Sequence, residues 1–320
     1  MQILTKEIIK ACSDGQDIAG VALVKTYSTQ LTKKGDEFET GTLLAGDETS
    51  FKAWGNSVAF SELKNHDYTN VPAYISGKIN DYMGNRCIIV NTIQAVEGYT
   101  IDQFLPIRYN MDAYWNTLVS TVKAKVSDYA YSLADRVLFS NKEVADAFKV
   151  QFAASSHHDN CKSGLLAHTL KVVSNTLYII QSYPKLVKDS EGAPSQAKID
   201  LLVLGALFHD IGKIREMNFG VYQRVSTVTH RYLGIEYVTP YRDEIISKYS
   251  EEWYYDLISI FLQHHGEFGD PCRTVSALII NKADMLDAEL TLLADSLDSP
   301  NESPSAGSTV KFDGAYLTIL

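Results

Sequence analysis

A histidine and an aspartate stand side by side at the end of an apolar run, Leu204-Gly205-Ala206-Leu207-Phe208-His209-Asp210, and Ile211-Gly212-Lys213 follow at once. Seven of the eight histidines lie between His157 and His265, which leaves only His66 outside. A solvated surface gives no reason to gather a scarce imidazole in this way, whereas a metal site does. In chain order the candidate ligands are His157, His158, His168, His209, Asp210, His230, His264, His265 and Asp284. Imidazole and carboxylate without thiolate suit a borderline divalent ion such as Mn, Fe, Co or Zn. Neighbouring side chains on a helix diverge by about 100°, so His209 and Asp210 can clamp an ion lying between them. Asp284 sits among Ile279, Ile280, Met285 and Leu286. A lone carboxylate buried there is costly, which favours a bound partner.

Taken alone, each of these residues reads more simply as a satisfied core or surface group. The joint pattern reads as a site: H, then H-D-x-G-K, then H, then H-H-G-E, then D, each within helical periodicity. His157 and His158 are its weakest members. They precede the loop 159–164, where they would shape the entrance or meet substrate.

The elements that must position these groups change character near Pro106. Before it, residues 18–27, 37–45, 50–54, 71–79 and 86–96 read as strands. Lys33-Lys34-Gly35-Asp36, Gly46-Asp47-Glu48 and Met83-Gly84-Asn85 serve as turns, and residues 56–63 as a short helix. Five strands with a helix between the third and fourth suit an OB-type barrel, with a plain five-stranded barrel or sandwich as the alternative. After Pro106, helical period takes over at 111–130, 141–152, 164–181, 195–208, 230–238, 252–263 and 276–293. Asn141 is a candidate N-cap for the second of these. Residues 182–194 form a polar loop. Residues 299–308, rich in Pro and Ser, read as a linker, and the apolar 310–320 as a tail that docks back.

The expected fold class is therefore multidomain α and β. A five-stranded OB-type β-barrel occupies 1–108 and an all-α domain occupies 109–300, its first part (109–156) being connecting helices. A linker and tail follow at 301–320. A chain of 320 residues can bury two such cores. No apolar run reaches the ~20 residues needed to span a bilayer, and the first residues lack a signal-peptide pattern, so a cytoplasmic protein without membrane partners is expected. Cys12, Cys87, Cys161 and Cys272 form no C-x-x-C and read as thiols. The net charge of −10 argues against a generally basic nucleic-acid wrapper, though not against a local basic groove.

The ordered series His168, His209-Asp210, Asp284 resembles the signature of HD-domain metal-dependent phosphohydrolases, and His230 with His264-His265 resembles their two-metal subset. Longer words are similar to the YhaM-type 3′–5′ exoribonucleases: Ser163-Gly164-Leu165-Leu166-Ala167-His168, His209-Asp210-Ile211-Gly212-Lys213, His264-His265-Gly266-Glu267-Phe268-Gly269 and Ala283-Asp284-Met285-Leu286-Asp287-Ala288. The resemblance covers about residues 18–300, and its family also places an OB barrel before the HD domain. The chain departs from the family pattern at Ser163, where a second Gly is usual, and at Ala167, where a Glu is usual. Residues 159–162 and 230–232 are also atypical, which puts substrate choice and metal preference in question more than the fold.

The resemblance implies hydrolysis of single-stranded RNA, with ssDNA as a further substrate, to nucleoside 5′-monophosphates from the 3′ end. It implies two divalent ions, Mn²⁺ first, with Co²⁺, Fe²⁺, Zn²⁺ or Mg²⁺ as alternatives. His168, His209, Asp210 and Asp284 would hold one ion. His230 with one or both of His264 and His265 would hold the other, with Asp210 able to bridge. Asp210 and Lys213 are the expected catalytic residues; Lys213 lies three residues after Asp210, on the same helical face, and reads almost equally as a phosphate contact or a solvated lysine. Nucleic acid would meet Lys33, Lys34, Lys52, Trp54, Tyr82 and Arg86 on the barrel, and His158. Singly, each barrel residue is better read as structural, Trp54 as a plug and the charges as solvated. Two other functions stay open: an HD phosphodiesterase or phosphatase acting on a small or cyclic nucleotide, and a non-catalytic nucleic-acid-binding protein. Homo-oligomerisation stays open as well.

Overall fold

The computed structural model describes residues 1–82, 85–155, 159–297, 309–312 and 315–318. It divides into two compact units, Met1–Ile107 and Arg108–Leu320.

The first unit opens with helix α1 (Lys6–Ala11), capped by Thr5, whose hydroxyl accepts from Ile8 N–H. Strands β1 (Asp17–Leu31), β2 (Glu37–Leu44) and β3 (Glu48–Trp54) follow, then helix α2 (Val58–Asn65), β4 (Val71–Tyr82) and β5 (Asn85–Ala95). The strands close a barrel in the order β1-β2-β3-β5-β4. β1 outruns the expected 18–27 because it serves two partners. Its first half pairs with β4, from Asp17↔Lys78 to Val24↔Val71, and its second half with β2, out to Leu31↔Glu37. Parallel pairing of β3 with β5, through Phe51↔Ile88, completes the ring. Order, closure and the helix between β3 and β4 make this the OB-type barrel. α2 starts at Val58, later than residue 56, because Ser57 is its N-cap and accepts from Phe60 N–H. Alternate residues Phe51 and Ala53 fill the interior with Val24, Leu43, Ile75 and Ile88, while Ala59 and Leu63 of α2 join the same core. Of the expected turn at 83–85, Met83 and Gly84 lie outside the described residues.

The second unit is helical: α3 (Met111–Lys125), α4 (Asp128–Ala134), α5 (Lys142–Val150), α6 (Gly164–Ser182), α7 (Gln196–Phe208), α8 (Lys213–Glu216), α9 (Thr229–Val238), α10 (Arg242–Lys248), α11 (Glu251–Gln263) and α12 (Val275–Leu297). The single helix expected over 111–130 is broken. Ser127 caps α4 by accepting from Ala130 N–H, and Asp200 accepts both the backbone N–H and the hydroxyl of Ser127 at 2.8 and 2.6 Å. A partner 73 residues away thus fixes a break that local periodicity does not signal. α7 is the hub. It is buried from Asp200 to Phe208, and α6, α11 and α12 pack on it, as an all-round apolar helix requires. Truncating one of its sealed side chains, Leu204→Ala, is expected to cost about 2–5 kcal/mol.

The expected docking tail contains a two-stranded antiparallel sheet of β6 (Thr309–Phe312) and β7 (Ala315–Thr318), and the linker 299–308 lies outside the described residues. All four cysteines are free thiols. Among the described residues no helix is long and apolar enough to cross a membrane.

Candidate metal centre

Five helices bring the acids and imidazoles together. His209 takes the last helical hydrogen bond of α7, its N–H donating to Gly205 O at 2.9 Å, and Asp210 begins the turn into α8. This turn lies hard against α9, since a Cβ on Gly212 would stand 2.0 Å from His230 O and 2.6 Å from Gly234 N. A missing side chain therefore lets the HD turn and His230 meet. His168 comes from the second turn of α6. Gly164 at the start of that helix packs on the loop before it, where a Cβ would lie 1.9 Å from Asp159 O. His264 and His265 follow α11, and Asp284 projects from α12.

Asp210 is central. Its Oδ2 lies 3.5 Å from His168 Nε2 and 3.4 Å from His209 Nε2. Its Oδ1 lies 3.5 Å from His230 Nε2 and 3.6 Å from His264 Nε2. Asp284 Oδ1 adds to the first set, 3.2 Å from His168 Nε2, and His265 to the second, its Nε2 being 2.9 Å from His230 Nε2. One carboxylate thus turns one oxygen to each of two donor sets.

The ring nitrogens on the far side are already committed. His168 Nδ1 donates to Asp287 Oδ2 at 2.7 Å and His230 Nδ1 to Glu216 Oε2 at 2.8 Å. His209 Nδ1 donates to Ala206 O at 2.9 Å, and His264 Nδ1 to Phe261 O at 3.0 Å. Each of these rings therefore presents its Nε2 inward, the tautomer a metal ligand needs. The inward atoms crowd one another: His168 Nε2 and His209 Nε2 stand 3.2 Å apart. Two lone pairs at that range repel unless a cation, proton or metal lies beside them. Asp210 Oδ1 and His264 Nε2 are buried without a hydrogen-bond partner, a costly state that a metal ion at this point relieves. The donor set fits a divalent metal.

The electrostatics agree. Burial works against ionisation of Asp210, but the Lys213 ammonium and His209 beside it hold its carboxyl well below the usual carboxylate range. Asp284 is likewise lowered, its burial outweighed by the hydrogen bond with His168. Burial pushes His264 down, and burial with His264 as neighbour pushes His265 to about 3. Lys213 is neither solvated nor free. Its side chain is 13% exposed and its Nζ lies 2.6 Å from Asp210 Oδ2, so the solvated-lysine reading is replaced by a buried ion pair.

On the barrel, Lys33 and Lys34 are exposed in the β1–β2 turn. Lys52 and Trp54 share the outward face of β3, where the Trp54 ring, 38% exposed, lies 4.9 Å from that of Phe38. Trp54 is therefore no barrel plug; Phe51 and Ala53, of the opposite parity, take that place. Arg86 is not a solvated charge. It pairs with Asp81 at 3.0 Å and donates to Ile9 O and Lys10 O, tying α1 to the barrel. The Tyr82 side chain, His157 and His158 lie outside the described residues. Glu267 is exposed.

Four groups around the centre have no role in the sequence reading: Asp287, which lies inside a family-like word, and Glu216, Lys171 and Asp159. Two carried a signal. Asp287 lies three residues after Asp284 and Lys171 three after His168, the spacing of one helical face. Glu216 and Asp159 carried none.

Residues 165–289 match the family model of the HD domain. The matched span holds every described member of the two donor sets, from His168 to Asp284. Among curated proteins, the chain is similar to the 3′-5′ exoribonuclease YhaM of Shouchella clausii, 26% identical over 300 residues that cover 89% of this chain and 87% of that one. It is similar also to YhaM of Bacillus subtilis, 25% identical over 307 residues that cover 89% and 88%. Both alignments extend well beyond the HD domain. Among solved structures, a chain of a replication protein A heterotrimer bound to ssDNA covers 31% of this chain and 82% of its own length, at 14% identity and a TM-score of 0.24, too distant to add to the assignment.

Proposed function

We propose that this protein is a metal-dependent 3′–5′ exonuclease that hydrolyses single-stranded RNA to nucleoside 5′-monophosphates with two divalent ions, Mn²⁺ foremost. The observation that carries the reading is Asp210, which aims one oxygen at His168 and His209 and the other at His230 and His264. His168, His209, Asp284 and Asp210 would hold the first ion. His230, His264, His265 and Asp210 would hold the second. Bound there, a pair of ions supplies Lewis-acid activation of water and neutralises charge on the scissile phosphate. Asp210 stays ionised as the shared ligand, and Lys213 holds its Oδ2 from the α8 side, from where the ammonium also meets a phosphate oxygen. Similarity to 3′-5′ exoribonucleases along 89% of the chain supports the reaction class.

The barrel gives the substrate its form. A mononucleotide needs no strand-tracking module, whereas a single strand gains from bases stacked on Trp54 over Phe38 and phosphates near Lys52, Lys33 and Lys34.

The test is a 5′-labelled single-stranded RNA incubated with the full chain and Mn²⁺. Stepwise shortening from the 3′ end is expected, lost with a chelator and in His209→Ala and Asp210→Ala; a parallel DNA strand reads sugar preference. An RNA left intact while a cyclic dinucleotide is hydrolysed would sink the proposal.

A further inference from the structure

Behind His168, on the side away from Asp210, lies a second polar cluster. Asp159, His168 and Asp287 offer ligand atoms within 4.8 Å of one another, which by itself looks like another metal site. A resident cation already fills it. Lys171 Nζ stands 3.0 Å from Asp159 Oδ2, 3.2 Å from Asp287 Oδ1 and 2.9 Å from Thr291 Oγ1. An ammonium has three protons, and here it has three oxygen acceptors. The Tyr109 ring lies 5.4 Å from the same Nζ, and its hydroxyl donates to Asp159 Oδ1.

We infer that Lys171 is a positioning residue for the first metal ion, acting through Asp287 on His168 without itself touching any metal ligand. The inference rests on the two-metal reading above. Asp287 and Asp159 are both buried carboxylates, and the ammonium between them is what lets them face one another. Held by Lys171 and by the Thr291 hydroxyl at 3.0 Å through Oδ1, Asp287 keeps Oδ2 on His168 Nδ1. That hydrogen bond sets the ring plane and makes Nε2 a better donor. Without the ammonium, the two carboxylates repel, Asp287 swings away, and the His168 ring loses its stop. The second donor set is insulated from this. Glu216, which holds His230 Nδ1, is fixed by accepting the backbone N–H of His230 itself at 2.9 Å. The two halves of the centre are thus braced by different means, one by a local backbone clip and one by an ion pair reaching to Asp159.

The experiment strips the full-length protein with a chelator and titrates Mn²⁺ by calorimetry, with electron paramagnetic resonance counting free ion. The wild type is expected to show two binding events. Lys171→Met should weaken one of them by about 10–100-fold and leave the other at its wild-type value. Lys171→Arg, which keeps the charge, should retain more affinity. Asp287→Asn should weaken the same event, and combining it with Lys171→Met should add little further. Circular dichroism establishes that each variant is folded; should Lys171→Met not fold, Lys171→Gln takes its place. Unchanged affinities in a folded Lys171→Met or Lys171→Gln, equal weakening of both events, or full additivity with Asp287→Asn would each overturn the inference. A wild type that takes up no Mn²⁺ overturns the two-metal reading, and this inference with it.

Discussion

Asp210 Oδ1 stands 3.6 Å from His264 Nε2, both atoms sealed from water and neither hydrogen-bonded. Across the same carboxylate, Oδ2 faces His168 and His209. Among the described residues, Asp210 is therefore the side chain whose loss strikes both donor sets. Asp210→Asn keeps the volume and removes the charge. It is expected to abolish uptake of both ions and all 3′ shortening, whereas His230→Ala leaves one ion bound. Metal analysis after dialysis checks this, and two ions retained by Asp210→Asn would refute a shared ligand.

Metal uptake should expel protons. Burial works against the charged form of His168, but the carboxylates of Asp284 and Asp287 raise its imidazole to about 10 in the metal-free protein. At neutral pH the ring is therefore protonated, and coordination requires that proton to leave. Affinity rises with pH up to about 10, and calorimetry in buffers of differing ionisation enthalpy reads the release. The sign for stability is the reverse. In the metal-free protein the raised value stabilises the fold fully below about 6.5, and this contribution is lost as pH rises through about 10. A metal-free melting temperature that increased over that window would contradict it.

Gly212 marks a close approach of the HD turn to α9. Gly212→Ala puts a methyl group 2.0 Å from His230 O, so one of the two segments must retreat. Overpacking of this kind costs about 1–3 kcal/mol. A lower melting temperature of the metal-free chain, together with weakened Mn²⁺ binding, is the expected result. An unchanged melt would mean that the contact is soft.

Trp54→Ala should weaken single-stranded RNA binding by about 1–3 kcal/mol, read by fluorescence anisotropy in chelator so that the strand is not cut. Lys52→Gln should flatten the dependence of log affinity on log salt by about 0.7. If neither variant alters binding, the outward face of β3 is not the strand's path.

Much of this was legible in the chain because it rests on local periodicity. The five strands, the helix between the third and fourth, and the change to helical period after Pro106 all follow from apolar spacing. The unusual gathering of histidines announced the centre. What stayed hidden was set by residues far apart in sequence. Asp200 breaks a helix 73 residues before it, and Glu216 clips His230 across a loop whose composition carries no hint of it. The ring tautomers depend on Ala206 and Phe261 carbonyls, which every residue possesses and no motif records. The plug reading of Trp54, as against the stacking one, fails for a simpler reason. Parity along β3 puts it on the side of Lys52, and a lysine is the better marker of the outward face.

The bond from His168 to Asp287 joins residues 119 positions apart, and the acid lies in the last long helix of the chain. During synthesis, a ribosome-bound chain that has not yet released α12 has neither Asp284 nor Asp287. The His168 Nδ1 then lacks the carboxylate that accepts from it, and the first donor set has one carboxylate, Asp210, in place of two. The centre is completed only when α12 is in place, so a nascent or truncated chain that lacks it is born without a full donor set.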